Sequence, residues 1–232
     1  MIAIWDLTTG EVVESLRLSE CEFGGGFGFT SEASLVAGCS KGVMAWDFET
    51  GEHELLVEIN LQALWASDDG RRLLVLERGD AGVAWDPIGS PLFIDLDTGV
   101  TRRLVAHGDQ IWDCVLSADG TVVATGNRNG TIRVGLTTGE EPHVLLGHHN
   151  SVSPLAIDPL KRWIASGGHD DTIRLWPMPD LSKAPLHTLP REQLIAKLKT
   201  LTNIRLVRSP ESSTGWKLTH APFAGWKTAP SW

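Results

Sequence analysis

Short apolar runs separated by polar, glycine-bearing turns recur along the first 190 residues. Val122-Val123-Ala124-Thr125 follows Ala118-Asp119-Gly120, and Thr131-Ile132-Arg133-Val134 follows Asn129-Gly130. Asp-Gly and Asn-Gly between apolar runs predict tight hairpins, because glycine accepts the positive φ that such turns need. The pattern therefore reads as many short strands rather than helices. It changes after Pro190, which fits the first position of a helix. Leu194, Ile195, Leu198 and Leu201 then fall on one stripe at helical spacing, and Asn203 is a stop signal. Residues 204–207 and 216–219, on either side of a polar turn, predict a closing hairpin.

The strand pattern is periodic. Residues 106–139 align with 147–180 at an offset of 41, pairing His107 with His148, Thr125 with Ser166, Gly126 with Gly167, and Thr131-Ile132-Arg133 with Thr172-Ile173-Arg174. A second marker runs apolar, Asp, apolar, any residue, Thr, Gly. It appears at Trp5–Gly10, Trp46–Gly51 and Ile94–Gly99, with a degraded copy at Val134–Gly139. The longer interval before Ile94 holds an insertion over residues 80–87. Self-similarity at about 40 residues, with four short strands per unit, is the spacing of a propeller blade.

These residues carry a resemblance. Trp5-Asp6, Trp46-Asp47, Gly147-His148 and the run from Ala165 to Trp176 resemble WD repeats over about residues 1–190. The resemblance implies an all-β, incomplete β-propeller of about four and a half four-stranded blades: a half blade over 1–19, then 20–59, 60–106, 107–147 and 148–189. A helix-plus-hairpin extension over 190–232 is similar to C-terminal extensions of bacterial WD-repeat proteins. It also implies a structural tetrad of His148, Ser166, Asp170 and Trp176, in which each buried polar group has a partner. The preceding blade keeps a partial set, His107 and Thr125, with Asn129 in place of the Asp and no Trp near Val134-Gly135. The Trp46 blade lacks the Asp, since Ser40 or Lys41 falls near that place.

The blade count leaves three readings open, since the family usually closes a ring of seven. The chain is the C-terminal part of a longer propeller, or copies assemble to finish a ring through open blade edges, or the tail supplies the missing strands. The tail stripe is either a partner-docking helix or a lid on the last blade.

Charge narrows the partners. The net charge is −9, but residues 1–100 hold 18 acidic and 5 basic side chains, a balance of −13, whereas residues 181–232 hold 8 basic and 2 acidic, a balance of +6. The acidic half disfavours a nucleic-acid backbone, while the basic tail suits an acidic partner. Three cysteines without paired spacing suggest no disulfide framework and a reducing, cytoplasmic setting. The N-terminal residues do not read as a signal peptide, and no apolar run is long enough to span a bilayer.

Chemical motifs are scarce. Gly38-Cys39-Ser40-Lys41-Gly42 fits a nucleophile elbow, but that chemistry needs a strand leading into a helix, and a strand follows here. Gly24-Gly25-Gly26-Phe27-Gly28 lacks the spacing of a phosphate cradle. Of His107, His148, His149 and His169, two recur at the repeat offset and so fall on different blades, rather than converging as metal ligands would. No catalytic residue, metal or cofactor is expected. The resemblance implies instead a protein-interaction scaffold, including settings in bacterial signalling proteins, with top-face contacts at Gln110, Trp112, Arg128, Ser151, Ser153 and His169. The alternative is a propeller enzyme, or a subunit of one, with a site in the central channel.

Overall fold

The computed structural model describes residues 2–16, 23–30, 34–47, 50–77, 90–104, 107–108, 110–201, 204–212 and 214–220. The expected insertion at 80–87, the stop at Asn203 and residues 221–232 lie outside them. The chain divides into two compact units, Met1–Met178 and Pro179–Trp232, so the boundary precedes the expected one at 190.

The first unit is a series of antiparallel sheets. Strands β1 (Ile2–Trp5) and β2 (Val12–Leu16) make a two-stranded half blade, blade 1. Blade 2 is β3 (Phe23–Thr30), β4 (Ser34–Cys39), β5 (Gly42–Asp47) and β6 (His53–Glu58). Blade 3 is β7 (Leu61–Ala66), β8 (Arg72–Glu77), β9 (Leu92–Asp95) and β10 (Thr101–Arg103). Blade 4 is β11 (Ile111–Leu116), β12 (Val122–Asn127), β13 (Thr131–Leu136) and β14 (His143–Leu146). Blade 5 is β15 (Val152–Ile157), β16 (Trp163–Gly168) and β17 (Ile173–Pro177). The expectation of four strands in this last blade is corrected to three among the described residues. The chain at and after the end of β17 is proline-rich (Pro177, Pro179, Pro185), and proline cannot donate to a ladder.

The repeated Asp-x-x-Thr-Gly marker is a turn. The carboxylates of Asp6, Asp47 and Asp95 accept from the backbone N–H of the Thr three residues on, at 3.3, 2.9 and 3.1 Å. Gly10, Gly51 and Gly99 close each turn at φ near +70°, a conformation in which any Cβ is strained. A second repeated turn, expected from Ala118-Asp119-Gly120, is pinned by a serine that sequence reasoning missed. Ser67 and Ser117 each donate a hydroxyl to an Asp two residues on, both at 2.6 Å, and accept an N–H from Arg72 or Val122 at 3.0 Å.

Blades stack face to face, and strand pairing fixes which residues face which neighbour. Leu74, Leu76 and Phe93 of blade 3 pack on Cys114, Leu116 and Val123 of blade 4. Val36 and Val43 of blade 2 pack on Leu64, Leu73 and Val75 of blade 3. Gly26 permits this approach, since a Cβ there would lie 2.1 Å from the Leu64 carbonyl oxygen. Ile2 and Ile4 cover Leu35, Ala37 and Trp46. Burial of these side chains at roughly 25 cal/mol per Å2 is what holds successive sheets together.

Cys39 is buried and disulfide-bonded, which corrects the expectation of no disulfide; Cys114 is a buried free thiol. In the second unit, helix α1 (Arg191–Leu201) and the pair β18 (Ile204–Arg208) and β19 (Trp216–His220) follow the expected order. Pro190 sits just before the helix, where its carbonyl accepts the Leu194 N–H at 2.9 Å. Ile195 and Leu198 of the stripe are exposed. No helix among the described residues is long and apolar enough to cross a membrane.

Candidate functional site

Blade 5 holds a continuous polar network. His148 Nδ1–H donates to Asp170 Oδ1 at 2.9 Å, and Nε2 accepts from the Ser166 hydroxyl at 2.8 Å. The Trp176 indole N–H donates to the same hydroxyl oxygen at 2.8 Å. The partners define the imidazole tautomer. Asp170 also accepts from the His149 N–H at 2.9 Å and the Thr172 hydroxyl at 2.7 Å. These bonds, led by the His149 N–H, hold its carboxyl well below the usual range. Thr172 was aligned with Thr131 in the repeat but not read as part of the network.

Blade 4 is locked differently. His107 Nδ1 meets the Thr125 hydroxyl at 3.1 Å. Asn129, read as the stand-in for the Asp, is exposed, and its side-chain oxygen accepts the Thr131 N–H at 3.0 Å. This corrects its place in the partial tetrad: the uncharged amide caps its own turn. Burial, with Arg133 nearby, pushes His107 down to about 4. An unfolded histidine titrates near 6.5, so the unfolded chain takes up the proton first. The stability from a neutral His107 is full above about pH 6.5 and falls as the pH drops towards 4, by about 3 kcal/mol. Urea unfolding at pH 7, 5.5 and 4 should show this loss, and His107→Gln should flatten it. The Asp170 contribution is lost only at lower pH, since its depressed carboxyl titrates below the ordinary carboxylate range.

Asp113, in the middle of an apolar strand, ties three blades together. It accepts from the Trp65 indole of blade 3 at 3.0 Å, from the Leu155 N–H of blade 5 at 2.7 Å, and from the Cys114 N–H at 2.9 Å. Burial raises its carboxyl pKa in spite of those bonds. A carboxylate inside a run as apolar as Ile111–Leu116 is poorly suited to a strand by propensity, and that was the available signal.

Next to it lies the face where the expected contact residues sit. The Arg128 N–H donates to the Gln110 carbonyl at 3.0 Å, and 41 residues on the His169 N–H donates to the Ser151 carbonyl at 2.9 Å. Trp112 falls in a bulge between Ile111 and Asp113, outside the ladder, and bulges re-aim side chains. Trp112 is 42% exposed, and its ring meets the His169 ring edge-on at 5.5 Å. Arg128 and His169 are exposed, Gln110 and Ser153 half-buried. Ser151 is buried, which removes its side chain from the exposed set. Its N–H donates to the side-chain oxygen of Asn150 at 2.8 Å.

The decoy motifs fall on strands and turns. Ser40 and Lys41 form the turn between β4 and β5, and Gly24–Gly28 lie on β3. No three His, Cys, Asp or Glu residues converge as metal ligands among the described residues. A cavity of about 470 Å3 on the inner strands is lined by Gly26, Ala63, Trp65, Ala66 and Val115 among others, without a titratable side chain.

Comparison with known proteins agrees with this geometry. Residues 99–134 and 139–177 match the family model "WD domain, G-beta repeat". These two segments, in blades 3 to 5, carry WD repeats on the β-propeller fold. Among curated proteins, its sequence is similar to the nuclear distribution protein PAC1 of Coccidioides posadasii, at 26% identity over 68% of this chain and 37% of that protein. It is also similar to protein HIR1 of Yarrowia lipolytica, at 30% identity over 49% of this chain and 11% of that protein. The chain thus spans well under half the length of the curated relatives it matches, and these relatives are fungal. Its fold is similar to the β-propeller domain of Myceliophteria thermophila Cps50 (Swd1), at 17% identity and a TM-score of 0.57, covering 81% of this chain and 60% of that one. It also resembles the computationally designed Ika4 protein, at 21% identity and a TM-score of 0.53, covering 71% of this chain and 96% of that one.

Proposed function

We propose that this WD-repeat chain is a non-catalytic protein–protein interaction scaffold that docks partners on the face carrying Trp112, Arg128 and His169. The observation that carries the reading is the Trp112–His169 pair. An exposed indole, bulged out of its ladder, leans on an imidazole of the next blade. This makes a rigid two-blade platform, with Arg128 on the blade that carries Trp112. Trp and Arg dominate interface hot spots. His148, Ser166, Asp170 and Trp176 act beneath it as the structural lock of blade 5, and Gln110 and Ser153 belong to the rim.

The inner-strand cavity supports the scaffold over an enzyme with a channel site. General acid–base work needs titratable groups within reach of a substrate, and its lining is apolar. The acidic first hundred residues favour protein over nucleic acid as the partner. A cytoplasmic place of action belongs to the same proposal. The fungal relatives lend no support to a bacterial signalling setting.

The test is quantitative binding of a partner captured on the wild-type chain. Trp112→Ala and Arg128→Ala should each weaken that partner by roughly 10-fold or more, and the double variant by more still. Unchanged affinity in both variants, with the fold intact, contradicts the proposal.

A further inference from the structure

Among the described residues of blades 3 to 5, every arginine and lysine side chain but one is engaged within the chain. At the end of the blades opposite Trp112, Arg71 bonds Asp97, Arg72 pairs with Asp69 at 3.0 Å, Lys161 with Asp119 at 2.6 Å, and Arg162 with Asp158 at 2.8 Å. Arg102 donates to the Thr137 carbonyl at 3.1 Å, and Arg103 pairs with Glu77. Arg133 donates to the Asn127 side chain at 3.2 Å, and Arg174 to the Thr172 hydroxyl at 3.3 Å. Arg128 is the exception. It is exposed in the turn after β12, and its guanidinium has no partner among the described residues.

The groups around it are donors too. The Trp112 indole N–H finds no acceptor among the described residues, and its ring meets that of the exposed His169. The nearby carboxylates are spent: Asp113 accepts three N–H groups, and Asp170 holds His148, His149 and Thr172. Asp171 is exposed, but the repeat places it elsewhere. Its counterpart 41 residues earlier, Gly130, abuts the His148 carbonyl of the following blade. Asp171 therefore lies on the side of blade 5 turned away from blade 4 and from Arg128.

A ligand for Trp112, Arg128 and His169 must bring acceptors, a negative charge and an apolar group for the indole face. A carboxylate is acceptor-only and matches the guanidinium fork with two parallel bonds. A nucleic-acid strand also brings acceptors and flat apolar faces, but a net charge of −9 opposes a polyanion more strongly than a single carboxylate. We infer that this face takes a short acidic segment of a partner protein, with an Asp or Glu carboxylate in the fork of Arg128 and a neighbouring apolar side chain on Trp112. The inference rests on this face being the docking face and adds the chemistry of its occupant.

A random peptide library selected on the folded 232-residue chain tests it. The selected sequences should be enriched in Asp and Glu over Lys and Arg. For the strongest, made synthetically, Arg128→Glu should raise the dissociation constant about 30-fold or more. Exchanging the acidic residues of that peptide for Lys should restore binding to Arg128→Glu. Asp171→Asn, which changes the net charge by the same sign but off the platform, should stay within about two-fold of wild type. Near-ultraviolet circular dichroism confirms that the variants fold. Selected peptides that are not acidic, yet lose affinity in Trp112→Ala and Arg128→Glu, overturn the inference and leave the docking face standing. Acidic peptides indifferent to both substitutions overturn the docking face as well. A library that yields no binder, or an oligothymidine strand that binds more tightly than the selected peptides at the same salt, also overturns the inference.

Discussion

Ile132→Ala is expected to destabilise the first unit by about 3 kcal/mol, the usual cost of truncating a fully buried branched side chain. Ile132 lies on the face of blade 4 that meets blade 5 and is completely buried. The cavity left behind would be shared by two sheets that cannot close it without shifting. Its counterpart 41 residues on gives the control. Ile173→Ala removes the same atoms from the same strand position, but from an exposed side chain, and should change monomer stability by less than about 0.5 kcal/mol. Urea unfolding of both variants, at a concentration where the chain is monomeric, reads the difference. Equal losses would mean that blades 4 and 5 are not stacked in this register.

His148→Ala should cost a similar amount, about 3 kcal/mol, for a different reason. The imidazole is wholly buried and serves two partners at once, the Asp170 carboxylate and the Ser166 hydroxyl. Removing it leaves a carboxylate oxygen and a buried hydroxyl short of a bond, and each such loss costs about 1–3 kcal/mol. The matched change in blade 4, His107→Ala, forfeits the bond to Thr125 and should cost less when both are compared at pH 7. Denaturant midpoints followed by tryptophan fluorescence suit this pair, since Trp176 is itself part of the blade 5 network. A larger loss in His107→Ala would show that the two blades share one lock after all.

Much of this was legible in the chain. An offset of 41 relates Gln110 to Ser151 and Arg128 to His169, and the structure gives both pairs the same backbone bond. Asp-x-x-Thr-Gly marked turns because a short carboxylate can cap N–H groups two and three residues on, and glycine alone relaxes at the positive φ that follows. Pairings that depend on a neighbouring sheet were not legible. Nothing local says that Asp113 reaches Trp65, 48 residues earlier, and Leu155, 42 residues later. The aligned position also misled at Asn129, where an amide replaces a carboxylate and turns to its own loop. Trp46 shows the same limit. Its Trp-Asp signature is intact, yet the ring stacks on His53 at 6.2 Å in a blade without a tetrad Asp. A repeat conserves the strand order more tightly than the side-chain lock, because apolar burial tolerates substitution and a hydrogen-bonded chain does not.

The account rests on successive segments of about 40 residues folding into sheets that stack in one fixed register. A crystal structure of the 232-residue chain tests it most directly. The account predicts His148 Nδ1 at 2.9 Å from Asp170 Oδ1 and the Trp176 indole nitrogen at 2.8 Å from Ser166 Oγ, with Ile132 beneath blade 5. A one-residue slip of β17 along β16 would turn Trp176 to the opposite face; that result, or a helix between the sheets, would contradict it.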